Sequence, residues 1–358
     1  LAEFTLTTLT GPAHGLDMDG LHIGGLNILS PVTQTSITDA LNIPIPPGSP
    51  FDLISDATVF GTGLGYDAFA RLLVGTVQGL ALIHYDPAGR ASINITGVPN
   101  VSAASLQGWI NTDDMTSAFK ALLTGDDVGH GSSGPDVMRG YDGNDTLSGA
   151  GGADTIYGGL GDDLIYGSAA SGPDAAETAS NYLRGEEGND TIVGGQGFDD
   201  INGNQGDDVL HGGDGDDWVV GGKDNDSQTG DAGNDIVWGN LGNDTLDGGP
   251  GNDQIRGGQG DDSISGGAGD DFVSGDRGND TESGGPGADI FHGSQDAGID
   301  KVLDFNQAEG DRVMLDPGTS YTVSQVDADT VIDMGGANQM ILVGVQLSTL
   351  TPGWIFLG

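Results

Sequence analysis

The chain has 358 residues, a formal net charge of −44, 67 glycines and no cysteine. That much negative charge disfavours nucleic acid and anionic membrane, whose phosphates carry the same sign, and favours cations. Without cysteine no disulfide can staple the fold, so a metal must take that role if the protein works outside the cell. The longest apolar stretch, 68–85, is broken by Arg71 and Gln78, so no membrane span is expected.

Residues 1–125 are read as an N-terminal, mainly-β domain ending in a short capping helix. FTLTTLT (4–10), LHIGGLNIL (21–29), ALIHY (81–85) and ASINITG (91–97) alternate as strands do, and NIPIPPGSP (42–50) reads as a loop. TDDMTSAFKALLTG (112–125) reads as the helix: Thr112 can cap it, Asp113 and Asp114 suit its positive end and Gly125 can stop it. Its apolar face, Met115, Phe119, Leu122 and Leu123, is placed to cover the open end of whatever stacks next. The chain opens on Leu1, and its first residues do not read as a basic-then-apolar leader. No nucleophile elbow, HExxH or histidine pair at ligand spacing is present. His14, His22 and His84 are isolated, and Asp17 and Asp19 read as a solvated turn, so no catalytic residue and no enzyme are expected.

From Gly131 to His292 one nine-residue phrase, GGxGxDxUx with U apolar, recurs eighteen times, as in GGLGDDLIY (158–166) and GGDGDDWVV (212–220). This pattern is a signature of a calcium-binding parallel β-helix. The sixth position is Asp at 136, 145, 154, 163, 190, 199, 208, 217, 226, 235, 244, 253, 262, 271, 280 and 289. The interval 163–190 spans three periods, so the roll is expected to stay in phase through it. The first six residues of each repeat are expected to turn. Glycine permits positive φ there, and Asp offers the hard anionic oxygen that calcium prefers. The last three form a short strand whose middle residue points inward. Two repeats per coil predict an all-β, parallel β-roll of about nine turns and roughly 43 Å, at the spacing of neighbouring strands.

The inward eighth positions are Met138, Leu147, Ile156, Ile165, Leu183, Ile192, Ile201, Leu210, Val219, Val237, Leu246, Ile255, Ile264, Val273 and Phe291. Asp174, Gln228 and Glu282 break the rule at intervals of 54, which would place all three on one sheet. By the same counting one outward face is polar and threonine-rich, with Thr155, Thr191, Thr245 and Thr281; this also raises a weaker reading as a calcium buffer or an ice- or surface-binding face. The other carries Leu164, Tyr182, Trp218, Ile236, Phe272 and Ile290, joined by Tyr166, Val220 and Trp238. An apolar face of that size marks a possible interface, covered by another part of the chain or by another molecule.

These repeats resemble the RTX family, secreted bacterial proteins with calcium-loaded β-rolls, over 162 of the 358 residues. The resemblance implies calcium ions held between each turn and the next one stacked on the same side. The loops at 167–172 and 176–181 lack the pattern, leaving about a dozen sites; Asp224, in place of the usual glycine, puts another in doubt. The roll is taken as 126–297. In 298–358, a C-terminal β cap and secretion-signal region, GIDKVLDFNQAEGDRVMLD (298–316) resembles the segment closing such rolls, with Asp304 and Phe305 as its Asp-Phe pair. Strands at 320–326, 329–335 and 339–345 follow, with a tight turn at GGAN (335–338), and TPGWIFLG at the end is compatible with the family's uncleaved signal for one-step secretion.

The leading functional expectation is a secreted, non-enzymatic protein of the extracellular space or cell surface. It would fold on extracellular calcium and act as a surface or matrix structural or adhesive protein, with self-assembly into a filament or lattice as its finer form. Its partners would be calcium, other copies of itself or a cell-surface component. The alternative is an enzyme or toxin whose active part is residues 1–125, with the roll as its secretion and folding module.

Overall fold

The computed structural model describes residues 2–9, 39–44, 54–65, 74–86, 89–102, 124–131, 134–168 and 178–358. Among them every regular element is a strand, apart from one 3-10 turn at Leu347–Thr349. The expected helix at 112–125 and the strand at 21–29 lie outside these residues, save Thr124 and Gly125.

Two parallel sheets face each other. The first stacks Asp127–His130, Thr146–Ser148, Leu164–Tyr166, Thr191–Gln196, Val209–Asp214, Ser227–Ala232, Thr245–Pro250, Ser263–Ala268, Thr281–Ser283 and Ile299–Val302. The second runs from Val137–Asp142 through Thr155–Leu160, Tyr182–Glu187 and Trp218–Lys223 to Arg312–Leu315 and Ile355–Leu357, eleven strands in all. The roll therefore has about ten coils, because it runs past the repeats at both ends.

Most of its strands have six residues, where three were expected. Each continues through the first three positions of the next repeat, whose backbones pair with the neighbouring coil, as Gly195 with Gly213 and Gln196 with Asp214. Only the fourth to sixth positions are left to turn. The inward residue of that second half is the repeat's first glycine, and it is buried.

The fifteen apolar residues of the eighth position are all buried, at most 3% exposed, in one row per sheet. Burial of an aliphatic side chain of this size contributes about 2 kcal/mol. Gln228 and Glu282 are buried in the first sheet's row, while Asp174 lies outside the described residues.

One expectation is corrected. The step from Leu164–Tyr166 to Thr191–Gln196, and from Thr155–Leu160 to Tyr182–Glu187, is a single coil of 27 residues. One nonapeptide is thus an insertion, not half a coil. The two halves of the roll therefore exchange faces relative to a strict two-repeat count. Thr155 joins the sheet of Trp218, and Leu164 and Tyr166 join the sheet of Thr191.

Both ends of the first sheet are capped by further strands. Ala2–Leu9 pairs in parallel with Asp127–His130 and antiparallel with Gly89–Ser102, which continues through Val74–Asp86 and Ile54–Gly65 to Asp39–Pro44. A strand thus covers the first sheet's N-terminal edge. At the far end Thr322–Val326, Asp329–Gly335 and Asn338–Leu342 form the expected antiparallel meander, whose last strand pairs in parallel with Ile299–Val302. Asp304 accepts hydrogen bonds from Ser283 Oγ (2.5 Å), Gly284 N–H (3.0 Å) and Gly285 N–H (2.9 Å), at the start of the last repeat. Phe305 seals the core between Phe291 and Trp354. The closing TPGWIFLG supplies the outermost strand of the second sheet.

Candidate metal centres

The sixteen sixth-position aspartates stand in two ladders, one along each side of the roll. In each, the backbone N–H of one Asp donates to Oδ1 of the Asp one coil further on. One ladder joins Asp127, Asp145, Asp163, Asp190, Asp208, Asp226, Asp244, Asp262, Asp280 and Asp300, with distances of 2.7–3.2 Å. The other joins Asp136, Asp154, Asn181, Asp199, Asp217, Asp235, Asp253, Asp271, Asp289 and Asp311, at 2.7–3.1 Å. Four of these members were not singled out in the sequence. Asn181 carries the second ladder across the insertion. Asp127 precedes the repeats, and Asp300 and Asp311 follow them at steps of 20 and 22 residues in place of 18.

The second oxygen of these carboxylates points to an ion. Oδ2 of Asp145, Asp163, Asp190, Asp208, Asp217, Asp226, Asp235, Asp244, Asp253, Asp262, Asp271, Asp280 and Asp289 is buried without a hydrogen-bond donor. It faces the repeat's first glycine and, at nine of the thirteen, also the carbonyl of the first glycine one coil on. A methyl built on Gly212 would sit 2.5 Å from Gly230 O and 2.6 Å from Asp217 Oδ2; one on Gly266 would sit 2.5 Å from Gly284 O and 2.6 Å from Asp271 Oδ2. The cradle is thus lined by one carboxylate oxygen and backbone carbonyl oxygen, and a side chain at the first position would fill it. Anionic and carbonyl oxygens are the ligands calcium takes, and a buried carboxylate oxygen without a donor is costly until a cation meets it. Among the described residues no three His, Cys, Asp or Glu side chains form a metal cluster.

Burial governs the electrostatics. It raises Asp145 and Asp190 to about 6, Asp208 and Asp217 to about 7, and Asp163 and Asp226 to about 8, against the partial relief of the ladder hydrogen bond; neighbouring aspartates push the same way as burial. Stacked like charges with no internal counter-charge are what a row of cations neutralises.

A third feature holds the turns. Fifth-position Asn and Asp form exposed ladders of the opposite sense: Asp207 N–H donates to Asn189 Oδ1 (2.8 Å), and Asn225 N–H to Asp207 Oδ1 (2.8 Å). The recurring ND and DD pairs are its signal. Asp224 adopts a positive φ of 73° in place of the fourth-position glycine.

Of the candidate interface residues, Tyr182, Trp218, Val220, Ile236, Trp238, Phe272 and Ile290 share the second sheet's outer face; Leu164 and Tyr166 lie on the first. Tyr182 is 39% and Trp218 38% exposed. Trp218 meets Trp238 edge-on at 5.6 Å, and Arg184 stacks 3.5 Å from the Tyr182 ring centre while pairing with Asp200. Arg139, Arg256 and Arg312 lie similarly over Tyr157, Phe272 and Phe356, so four of the chain's ten basic residues gather on this face. Alternate-strand pairing brought them together, a register that composition does not show. Beside them Asn202, Asn204, Lys223, Asn240, Gln259 and Arg277 line an open polar groove of about 730 Å³.

Fold and cradles define a calcium-binding parallel β-roll. The RTX calcium-binding nonapeptide repeat matches residues 123–156, 140–171, 176–201, 193–228, 229–255 and 247–282, and this stretch of the chain is an array of RTX repeats. Among solved structures the chain is similar to the extracellular lipase LipA from Serratia marcescens, with 19% identity and a TM-score of 0.28, covering 66% of this chain and 40% of the lipase. No curated protein matches. No helix among the described residues is long and apolar enough to cross a membrane.

Proposed function

We propose that this is a secreted, non-enzymatic protein of the cell surface or matrix that folds on extracellular calcium into a rod and acts by adhesion or assembly. The observation that carries the calcium part is the pair of aspartate ladders with Oδ2 turned into carbonyl-lined cradles. About a dozen ions would fill them. What supports a contact role is the second sheet's outer face, where Tyr182, Trp218 and Phe272 stand in a row with stacked arginines on an otherwise acidic rod. Aromatic and Arg side chains are those enriched at interfaces. Its partner would be another copy or a cell-surface component.

Electron microscopy of the purified chain in millimolar calcium tests this. Filaments, sheets or ordered clusters that vanish on chelation, and that Trp218→Ala weakens, are the expected result. A strictly monodisperse monomer that binds no cell surface would overturn it.

A further inference from the structure

The two polar residues in the first sheet's core row have no place in an apolar core. Gln228 pairs across the ladder with Leu210 and Leu246, and Glu282 with Ile264 and Val302. Gln228 is 3% and Glu282 0% exposed. Neither side-chain atom of Gln228 has a hydrogen-bond partner, nor has Glu282 Oε2. Around Glu282 the nearby charges are Asp300, Asp280 and Asp276, all of its own sign. An ionised group so placed costs several kcal/mol unless a cation is shared among them.

Both side chains turn the same way. Glu282 Oε1 accepts the N–H of Gly275 at 2.7 Å, and Gly275 is the first glycine of its own repeat, beside Asp280 Oδ2. Gln228 reaches the first glycine of its own repeat, Gly221: a methyl built there would meet Asp226 Oδ2 and the Gln228 amide together. At the other cradles of the ladder the eighth-position residue is Leu, Ile or Val, whereas these two offer a second side-chain oxygen. The amide's oxygen and nitrogen ends exchange by a half-turn, so Gln228 can present oxygen.

We propose that Gln228 and Glu282 are interior calcium ligands, so that the cradles of Asp226 and Asp280 hold the most tightly bound ions of the roll. Calcium affinity rises with the number and charge of its oxygen ligands, so the Glu282 site is the tighter of the two. The 54-residue interval, three coils of the first sheet, spaces them along the rod as two anchoring points among weaker sites. The proposal rests on the cradles being calcium sites.

Calorimetric calcium titration of the full chain, in competition with a chelator, tests it. The parent is expected to show a small tight class of ions before the weaker majority. Glu282→Leu, which restores the apolar row, is expected to fold in saturating calcium by circular dichroism but to lose one tight ion. Glu282→Gln weakens that ion about tenfold or more, and Gln228→Glu tightens its own. If Glu282 were only a neutral buried acid, Gln would replace it without effect on the isotherm. Identical isotherms for parent, Glu282→Gln and Gln228→Glu overturn the proposal; a parent that binds no calcium overturns the cradle reading instead. Should Glu282→Leu fail to fold, the other two variants decide.

Discussion

Asp217→Asn isolates the ion from the scaffold. Asp217 Oδ1 accepts the N–H of Asp199 at 2.8 Å, and its Oδ2 enters the cradle of Gly212 and Gly230. Asparagine keeps the first contact, as Asn181 does when its Oδ1 accepts the N–H of Asp154 at 3.0 Å. It puts an uncharged amide where the second was. One ion should be lost and the ladder retained. With a dissociation constant of about 10⁻⁴ M, an ion contributes about 1.4 kcal/mol at 1 mM calcium and about 2.7 kcal/mol at 10 mM. Urea unfolding of parent and variant at both concentrations should therefore show a gap that widens by about 1.3 kcal/mol. Ile201→Ala, a cavity in the core row, should cost about 2–5 kcal/mol at either concentration. A gap for Asp217→Asn that is the same at 1 and 10 mM calcium, like the cavity control, would refute the assignment of Oδ2 to an ion.

Gly266→Ala should act on the same chemistry from the backbone: its φ is ordinary, so the added methyl does its damage only by entering the cradle near Asp271 Oδ2, and titration should find one ion fewer. Asp304→Ala removes three hydrogen bonds at the start of the last repeat and should cost about 2–4 kcal/mol, with hydrogen exchange fastest around Ser283 to Gly285. The pH response follows from raised pKa values. Ladder aspartates at about 6 to 8 in the folded, metal-free chain keep protons that the unfolded chain, near 3.8, has released. That stabilisation is complete below about pH 4 and lost as pH rises toward 8, so the calcium-free chain should order on acidification. Calcium affinity should fall over the same range as pH drops, because protons compete for the same oxygens. A calcium-free chain that orders as pH rises would contradict this.

Much of this was legible because one period carries it. Every apolar eighth position became core, and every sixth-position Asp joined a ladder, since nine residues make half a coil and side chains alternate along a strand. What misled was the same regularity. A nonapeptide inserted between Tyr166 and Tyr182 is arithmetically identical to one that makes half a coil, so the count survives while the faces exchange, and Leu164 and Tyr166 pair on the other sheet. Asp127, Asp300 and Asp311 were missed because the first precedes the repeats and the others follow them at steps of 20 and 22 residues. The arginine row was missed because the stacking of Arg139 on Tyr157 and of Arg256 on Phe272 depends on cross-strand neighbours 18 and 16 residues away.

The central claim is that calcium holds the roll together, and circular dichroism of the full chain with and without chelator tests it most directly. A β spectrum with a cooperative thermal transition in millimolar calcium, collapsing to coil on chelation at neutral pH and returning when calcium is restored, is the predicted result. A spectrum and transition unchanged by the chelator would contradict it.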